Sequence, residues 1–579
     1  MANDNNKEAV KGTNYGEVAD KALEAVSGGS IGIDTDPQTL RKMNKDAEIL
    51  VKLENTSAEI GRKCYGYTRI QHCTLNRHNY RYCMKNYYYD MVESGKLEKL
   101  RYLPTITQFL DFICGQYASL PAFCEKSATF TYEKLVSRVK KRVSFLYASG
   151  LKIGANIAVL APNNRDAAEL FLAIPAAGFT VMMLPATTGE EDLADIIEKY
   201  DIMALFAAEE LSSVTTGVSC PVFMADSMGE TEGGFAAVSK QTPAAIFLTG
   251  GTSGTPKGAV LSHGALMRGA FNGVFGPGYV LNRRYMAFLP FSHVFGSIRR
   301  LLSCLYTGSS VYLCTDLKSA IMDIPLVRPT TLVLVPGMIE IILGIAKLKG
   351  KHFLGDLKVI ISGAAPVPPR LMQDCASFGI KVCSGYGLTE CANLTAGNNN
   401  AEDFSEAVGP VYPGQEIKLI DGELYIKGDN VMLGYYGEPE LTAQVLSDGW
   451  FRTGDLAELR EYKQEKFLVI TGRVKNLILL PNGENVSPEE LESLFYNNTL
   501  VKDCLVRRMT INGNNVIGIE IIPFMPAFAG CSGDETENRL QSVVDEVNKR
   551  LPTYKRILKL VVRTEDFKRS GAMKILREQ

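Results

Sequence analysis

The chain lacks an excess of charge, a paired-cysteine framework and an uninterrupted apolar span, and each absence removes a class of function. Its 62 basic and 64 acidic residues leave a formal charge of −2, so no global field draws it to nucleic acid or to an anionic membrane. A nucleic-acid partner is not expected, and membrane contact is expected to be peripheral at most. The 13 cysteines run from Cys64 to Cys531 without a C-x-x-C pair, in a chain too large to need disulfide staples. They read as reduced thiols, which places the protein in a cytoplasm. The longest apolar runs, Phe171 to Ala186 and Thr331 to Ala346, are broken by Pro and Gly and fall short of the roughly 20 residues a spanning helix requires. The first residues carry neither the basic n-region nor the apolar h-region of a secretory signal. No internal repeat is evident.

What is present is the composition of a globular protein, 46% apolar and 22% charged over 579 residues, a length that suits two to four domains. Residues 1–40 are polar and are expected to form a disordered tail. Within them, "LEAVSGG" (Leu23 to Gly29) resembles the double-glycine leader of exported bacterial peptides, and a short helix stopped by two glycines accounts for the same letters. Residues 41–100 read as a helical, basic and Tyr-rich extension, in which Arg62, Lys63, Arg69, Arg77, Arg81 and Lys85 are interleaved with seven tyrosines from Tyr65 to Tyr89. Such mixtures can grip single strands by charge and stacking. A solvated face packed on the main body explains them as well, and no nucleic-acid motif is present. Cys64, His72, Cys73, His78 and Cys83 are spaced too irregularly for a structural zinc site, and no metal is assigned there.

From about residue 101 the pattern turns to α/β. "FTYEKLVSRVKKRVSFLYASG" sets Leu135, Val139, Val143 and Leu146 at helical intervals and stops at Gly150. "ANIAVLAPNN" reads as a buried strand, "RDAAELFLAIPAAG" as a helix and "TVMMLPA" as a strand, the alternation of a parallel sheet covered on both faces. The runs "AAIFLTG", "YMAFLP", "SVYLC", "TLVLVP" and "KVIISG" each end in small or turn-forming residues, offering strand edges to a ligand. After residue 405, "GQEIKLIDGELYIKGDNVMLGYY" has the alternation of an antiparallel meander, with Asp421-Gly422 as its hairpin signal. A last unit from about Lys475 mixes short strands with helices.

The stretch "TGGTSGTPKG", Thr249 to Gly258, follows a strand and is almost bare of side-chain bulk. Gly250, Gly251 and Gly254 let backbone N–H groups close on phosphate oxygens, Thr249, Thr252, Ser253 and Thr255 add hydroxyls, and Lys257 adds a charge. It is not a Walker A loop, because no hydroxyl follows the lysine. The stretch resembles the phosphate loop of adenylate-forming (AMP-binding) enzymes, most closely long-chain fatty acid CoA ligases. "LPFSHVFG", "GAAP", "GYGLTE", "GELYIKGDNVMLGYY", "FRTGD", "GRVKNLI" and "NGENVSPEELE" follow in that family's order, and the likeness covers roughly residues 101–579.

The resemblance implies an α/β fold: a large N-terminal domain of α/β sheets with a β-rich subdomain, residues 101–474, and a small mobile α+β C-terminal lid, residues 475–579. It implies an AMP-forming acyl-CoA synthetase that uses ATP, Mg²⁺ and CoA. Thr389 would contact phosphate and Glu390 would bind Mg²⁺. Tyr386 and Gly387 would lie against adenine opposite Gly363, Ala364 and Ala365. Asp455 would accept from both ribose hydroxyls, and Arg473 would reach ribose and phosphate. Lys475 would be the hinge. Lys574, in "KRSGAMK", would bridge substrate carboxylate and α-phosphate, although this stretch departs from the family's P-x-T-x-x-G-K at Lys568, Ser570 and Met573. His293 would orient the acid. Ser292 stands where amino-acid-activating relatives carry an Asp, which argues for an uncharged acyl or aryl chain, a fatty acid foremost. Acyl carrier protein in place of CoA, or a non-catalytic ligand-binding role, are the alternatives.

Overall fold

A computed structural model describes residues 99–568, except 250–255, 276–282, 400, 481–483, 497 and 512–513, and residues 575 and 577. The double-glycine stretch, the Tyr-rich extension, the phosphate-loop residues Gly250, Gly251, Thr252, Ser253 and Gly254, and Lys574 lie outside the described residues.

The first helix of the α/β body, α1 (Tyr132–Ala148), is opened by Thr131, whose side chain accepts from the Lys134 N–H, and it buries Leu135, Val139, Val143 and Leu146. The spacing read from the sequence is therefore its core face. Strands β1 (Asn156–Leu160) and β2 (Thr180–Leu184) are buried at every residue. This is the expected state of interior strands in a sheet covered on both sides. Between them runs α2 (Arg165–Ala176), capped by the Asn164 side chain. Strands β3 (Ile202–Ala207), β4 (Val222–Met224), β5 (Pro243–Thr249) and β6 (Lys257–Ser262) extend the sheet to seven strands with a short strand at Gly434–Tyr435, and all pairings from β5 through β2, β1 and β3 to β4 are parallel.

The sheet departs from the expected all-parallel form at one edge. β5 and β6 are antiparallel, with Thr249 opposite Lys257 as their last register pair. The glycine-rich stretch therefore joins two adjacent strand ends as a hairpin and does not lead into a helix. Its spacing alone did not decide this, because glycine suits either turn.

A second sheet holds β7 (Thr331–Leu334), β8 (Val359–Ser362) and β9 (Lys381–Tyr386) in parallel, so Gly363 to Ala365 and Tyr386 to Gly387 emerge from neighbouring carboxyl ends. The antiparallel meander forms as read: β10 (Gln415–Ile420), β11 (Glu423–Gly428), β12 (Trp450–Tyr462) and β13 (Glu465–Arg473) pair in sequence. Asp421 and Gly422 take φ of 50° and 79°, the left-handed pair that a type I′ hairpin demands.

The C-terminal unit has a core of its own, Ile478 to Ile557, separate from the main cluster that runs from Leu100 to Leu468. It packs helix α3 (Gly533–Lys549), opened by a Ser532–Glu535 capping box, against the strands Val501–Ile511, Asn514–Pro523 and Lys559–Val562. The fold is thus a large α/β domain with a β-rich subdomain and a small α+β domain. Among the described residues no helix is long and apolar enough to cross a membrane, and the cysteines, Cys114 to Cys531, are free thiols.

Candidate functional site

Asp455 and Arg473 face each other as cross-strand partners in the β12–β13 ladder, which is how two residues 18 apart in sequence come to share one site. Asp455 is buried. Its Oδ1 pairs with the Arg473 guanidinium and its Oδ2 accepts the Tyr386 hydroxyl at 2.5 Å. The Asp455 N–H is held by the Thr453 hydroxyl at 3.0 Å. Burial first, and the Asp455 charge second, hold the Tyr386 phenol well above its ordinary pKa, so it remains a donor to that carboxylate. The family resemblance implies that Tyr386 lies against adenine; the residue also spans two sheets to hold the aspartate.

Glu390 sits in a short 3₁₀ turn, Thr389–Cys391, directly after β9. Gly387 leads into it, and a Cβ there would stand 1.3 Å from the Asn393 carbonyl oxygen, so only glycine permits this backbone approach. The Glu390 Oε1 accepts from the Tyr435 hydroxyl at 2.9 Å, and its carbonyl accepts the Met432 N–H at 2.8 Å. Tyr435 in turn lies opposite Ala259 on the edge of β6, and the Lys257 ammonium stands 5.5 Å from its ring centroid. The "GYY" segment is therefore a strap joining the end of the glycine hairpin to Glu390. Sequence reasoning quoted Tyr435 within a motif and gave it no role.

These two groups lie within electrostatic reach of each other. Glu390, Asp455 and Tyr386 all act electrostatically on Arg473, and Arg473, Asp455, Lys257 and Glu390 all act on Lys475. Lys475 is exposed, and its ammonium is held below its ordinary pKa by partial burial and then by the Arg473 cation. Gly363, Ala364 and Ala365 follow β8, the parallel neighbour of the strand that carries Tyr386. Ala364 takes φ of 69°, a left-handed conformation that costs a non-glycine residue and often marks functional sites. The Phe295 ring stands 3.0 Å from where a Gly363 Cβ would be. Phe295 opens a π-helix, Phe295–Leu302, a form that is rare and recurs at such sites. The His293 Nδ1 accepts the Phe295 N–H at 3.1 Å, leaving Nε2 as the donor of a neutral ring.

The turn bearing His293 is fastened from the β1–α2 loop. The Asn163 amide donates to the Leu289 carbonyl at 2.8 Å and its oxygen accepts the Phe291 N–H at 3.0 Å. Asn163 was legible in the sequence only as part of a strand-ending turn. Of the residues expected at the site, the structure brings together Lys257, Tyr386, Glu390, Asp455, Arg473 and Lys475, and sets Phe295, beside His293, against Gly363.

The "AMP-binding enzyme" family model matches residues 111–436 and the "AMP-binding enzyme C-terminal domain" model matches residues 475–579. Similar curated proteins include a feruloyl-CoA synthase of Amycolatopsis sp, 27% identical over 65% of this chain and 80% of its own length. The long-chain-fatty-acid–CoA ligase FadD15 of Mycobacterium bovis is 25% identical over 65% of this chain and 74% of its own length. Among solved structures, ATP-bound MatB from Rhodopseudomonas palustris superposes with a TM-score of 0.71 at 23% identity, covering 81% of this chain and 97% of that one.

Proposed function

Because the chain belongs to the AMP-binding enzyme family, we propose that it uses ATP to activate a carboxylic acid as acyl-AMP and then passes the acyl group to the thiol of CoA. In the first half-reaction a carboxylate oxygen bonds to the α-phosphorus as pyrophosphate leaves. In the second, the thiolate bonds to the acyl carbon as AMP leaves, the thiol proton passing to solvent. The observation that supports this reading most is the clustering of Lys257, Glu390, Asp455, Arg473 and Lys475 within electrostatic reach of one another. A reaction that concentrates negative charge needs cations and positioned donors around it and one carboxylate for the metal.

Asp455 accepts the ribose hydroxyls in place of Tyr386 and Arg473, which hold its oxygens in the structure. Thr249, the glycines of the hairpin, Lys257 and Thr389 cradle phosphates, and Gly363, Ala364, Ala365, Tyr386 and Gly387 bound the adenine. Glu390 fits a Mg²⁺ ligand: among the described residues no hydrogen bond claims its Oε2, and no cluster of three or more acidic, Cys or His groups is present. That donor set suits a cation held by one carboxylate and the nucleotide's own phosphates. When bound, Mg²⁺ screens the phosphate charge. His293 orients the acid, and Lys475 begins a lid, residues 475–579, that brings Lys574 to the reacting carboxylate.

The acid carries no α-ammonium, since Ser292 offers it no carboxylate. A fatty acyl chain is the class the loop sequence resembles most, while relatives named for feruloyl and fatty acyl substrates widen the panel to be tried. Pyrophosphate release from Mg-ATP, measured over aliphatic, aryl and amino acids with and without CoA, tests the reading. Release with some carboxylic acid, and CoA-dependent turnover, are expected; no release with any acid would overturn it.

A further inference from the structure

The interior of the large domain contains three arginines with no acid beside them. Arg283, Arg299 and Arg300 are 5%, 2% and 0% exposed, and all three act on the same buried thiol, Cys304. No carboxylate pairs with any of them among the described residues, and the only charge-bearing groups that act on Arg300 are the thiols Cys304 and Cys314. Arg300 gives one N–H, from Nη2, to the Leu289 carbonyl at 3.0 Å, and its guanidinium lies 4.6 Å from the Phe291 ring centroid. Its Nε and Nη1 have no partner among the described residues. Burial draws its pKa down to about 10, which leaves it a cation at neutral pH.

A structural brace would use the one bond to Leu289, and that carbonyl already accepts from Asn163 at 2.8 Å. Two nitrogens with bare N–H groups on a fully buried cation are a costly way to repeat it, since a desolvated charge needs both a counter-charge and hydrogen bonds. The position of the pair adds direction. Phe295 opens the π-helix beside Gly363 and His293. In a helix bonded from i to i+5, the residues four and five places on return to the face of the first, which here are Arg299 and Arg300. The cations therefore stand one turn beyond the residue packed against Gly363.

We propose that the acid this chain activates is a dicarboxylic acid, whose second carboxylate is received by Arg299 and Arg300. The proposal rests on the ligase reading above. A guanidinium fork matches a carboxylate with two parallel N–H···O bonds, and the unclaimed donors of Arg300 supply them. The pairing neutralises a charge the fold otherwise buries alone. Because this contact is the same in ground and transition states, it acts through KM more than through kcat.

The test compares straight-chain dicarboxylic acids of four to ten carbons, and the benzene dicarboxylic acids, each with its monomethyl ester and with the monocarboxylic acid of equal length, by pyrophosphate release from wild-type protein with Mg-ATP and CoA. One diacid is expected to exceed its own ester in kcat/KM by about 10-fold or more, chiefly through KM. Arg300→Met and Arg299→Met are expected to bring that ratio toward one, and Arg300→Lys to restore part of it. If a variant does not fold, the wild-type ratio of diacid to ester still decides. Preference for the monocarboxylate or the ester overturns the proposal alone, and so does an equal fall for diacid and ester in the Met variants. No release with any acid overturns the ligase reading and this proposal with it.

Discussion

Two sets of buried arginines in the same domain are treated in opposite ways. Arg142, on α1, is fully buried and has every donor used: Nε to Glu169 at 2.8 Å, Nη2 to Asp166 at 2.5 Å, and Nη1 to the Ala225 and Ser227 carbonyls at 2.6 and 3.3 Å. Arg138 joins it on Glu169 at 2.5 Å. Arg300 is buried as deeply and has one bond. Asp455 lies between these extremes, since its two partners, Tyr386 and Arg473, are themselves site residues that a nucleotide displaces. The difference separates charges that the fold completes by itself from charges left for a ligand to complete.

The contrast breaks most directly by truncation. Arg142→Met takes one cation from Glu169 and Asp166, leaving them to Arg138 and Arg165, frees the Ala225 and Ser227 carbonyls, and is expected to cost about 3 kcal/mol in denaturant unfolding. Arg300→Met removes an uncompensated cation and leaves the Leu289 carbonyl bonded to Asn163, so its cost is expected to stay within about 1 kcal/mol. Equal losses would show that Arg300 is a brace like Arg142.

A buried pair in the small domain sharpens the point through pH. Glu492 accepts from the Val506 N–H at 2.7 Å and from Arg577 at 2.6 Å, yet burial outweighs the Arg577 cation and pushes its carboxyl up to about 7. A raised folded pKa means that the folded chain holds this proton more tightly than the unfolded chain. Its contribution is complete below the ordinary carboxylate value and is lost as pH rises through about 7. Relative to Glu492→Gln, wild-type unfolding free energy is expected to fall by up to about 3 kcal/mol from pH 4.5 to 8. A rise over that range would mean that the ion pair dominates burial.

Two smaller effects concern the exchangeable charges. Asp455→Asn retains one acceptor and loses the charge, and ATP affinity by calorimetry is expected to drop about 10- to 100-fold. Unchanged affinity would remove Asp455 from the ribose site. Tyr435→Phe deletes only the hydroxyl that holds Glu390, and the Mg²⁺ concentration for half-maximal ATP binding is expected to rise about tenfold. No change would make the strap purely structural.

The elements were legible in the letters wherever the signal was local. The α1 spacing, the buried β1 and β2, and the Asp421-Gly422 turn each express a periodicity or a backbone preference that a few residues decide. The glycine-rich stretch reads as a candidate phosphate binder by composition, while the antiparallel pairing of the strands that flank it was not legible, because glycine suits a turn into a strand or into a helix alike. Asp455, Glu390 and Arg473 were recognisable as members of ordered motifs. The Tyr435–Glu390 bond, the Asn163 tie and the Tyr386–Asp455 link were not, since each joins residues far apart in the chain that carry no local mark of the partner.

By itself the sequence determined which segments are strands, helices and turns, and which residues are candidates for phosphate, metal and ribose chemistry, because hydrophobic period and side-chain type are properties of neighbouring residues. Only the tertiary structure decided which charges meet. Arg142 and Arg300 look alike as letters, and it is the packing of α2 beside one, and of no acid among the described residues beside the other, that makes the first a finished part of the interior and leaves the second with donors for the carboxylate proposed above.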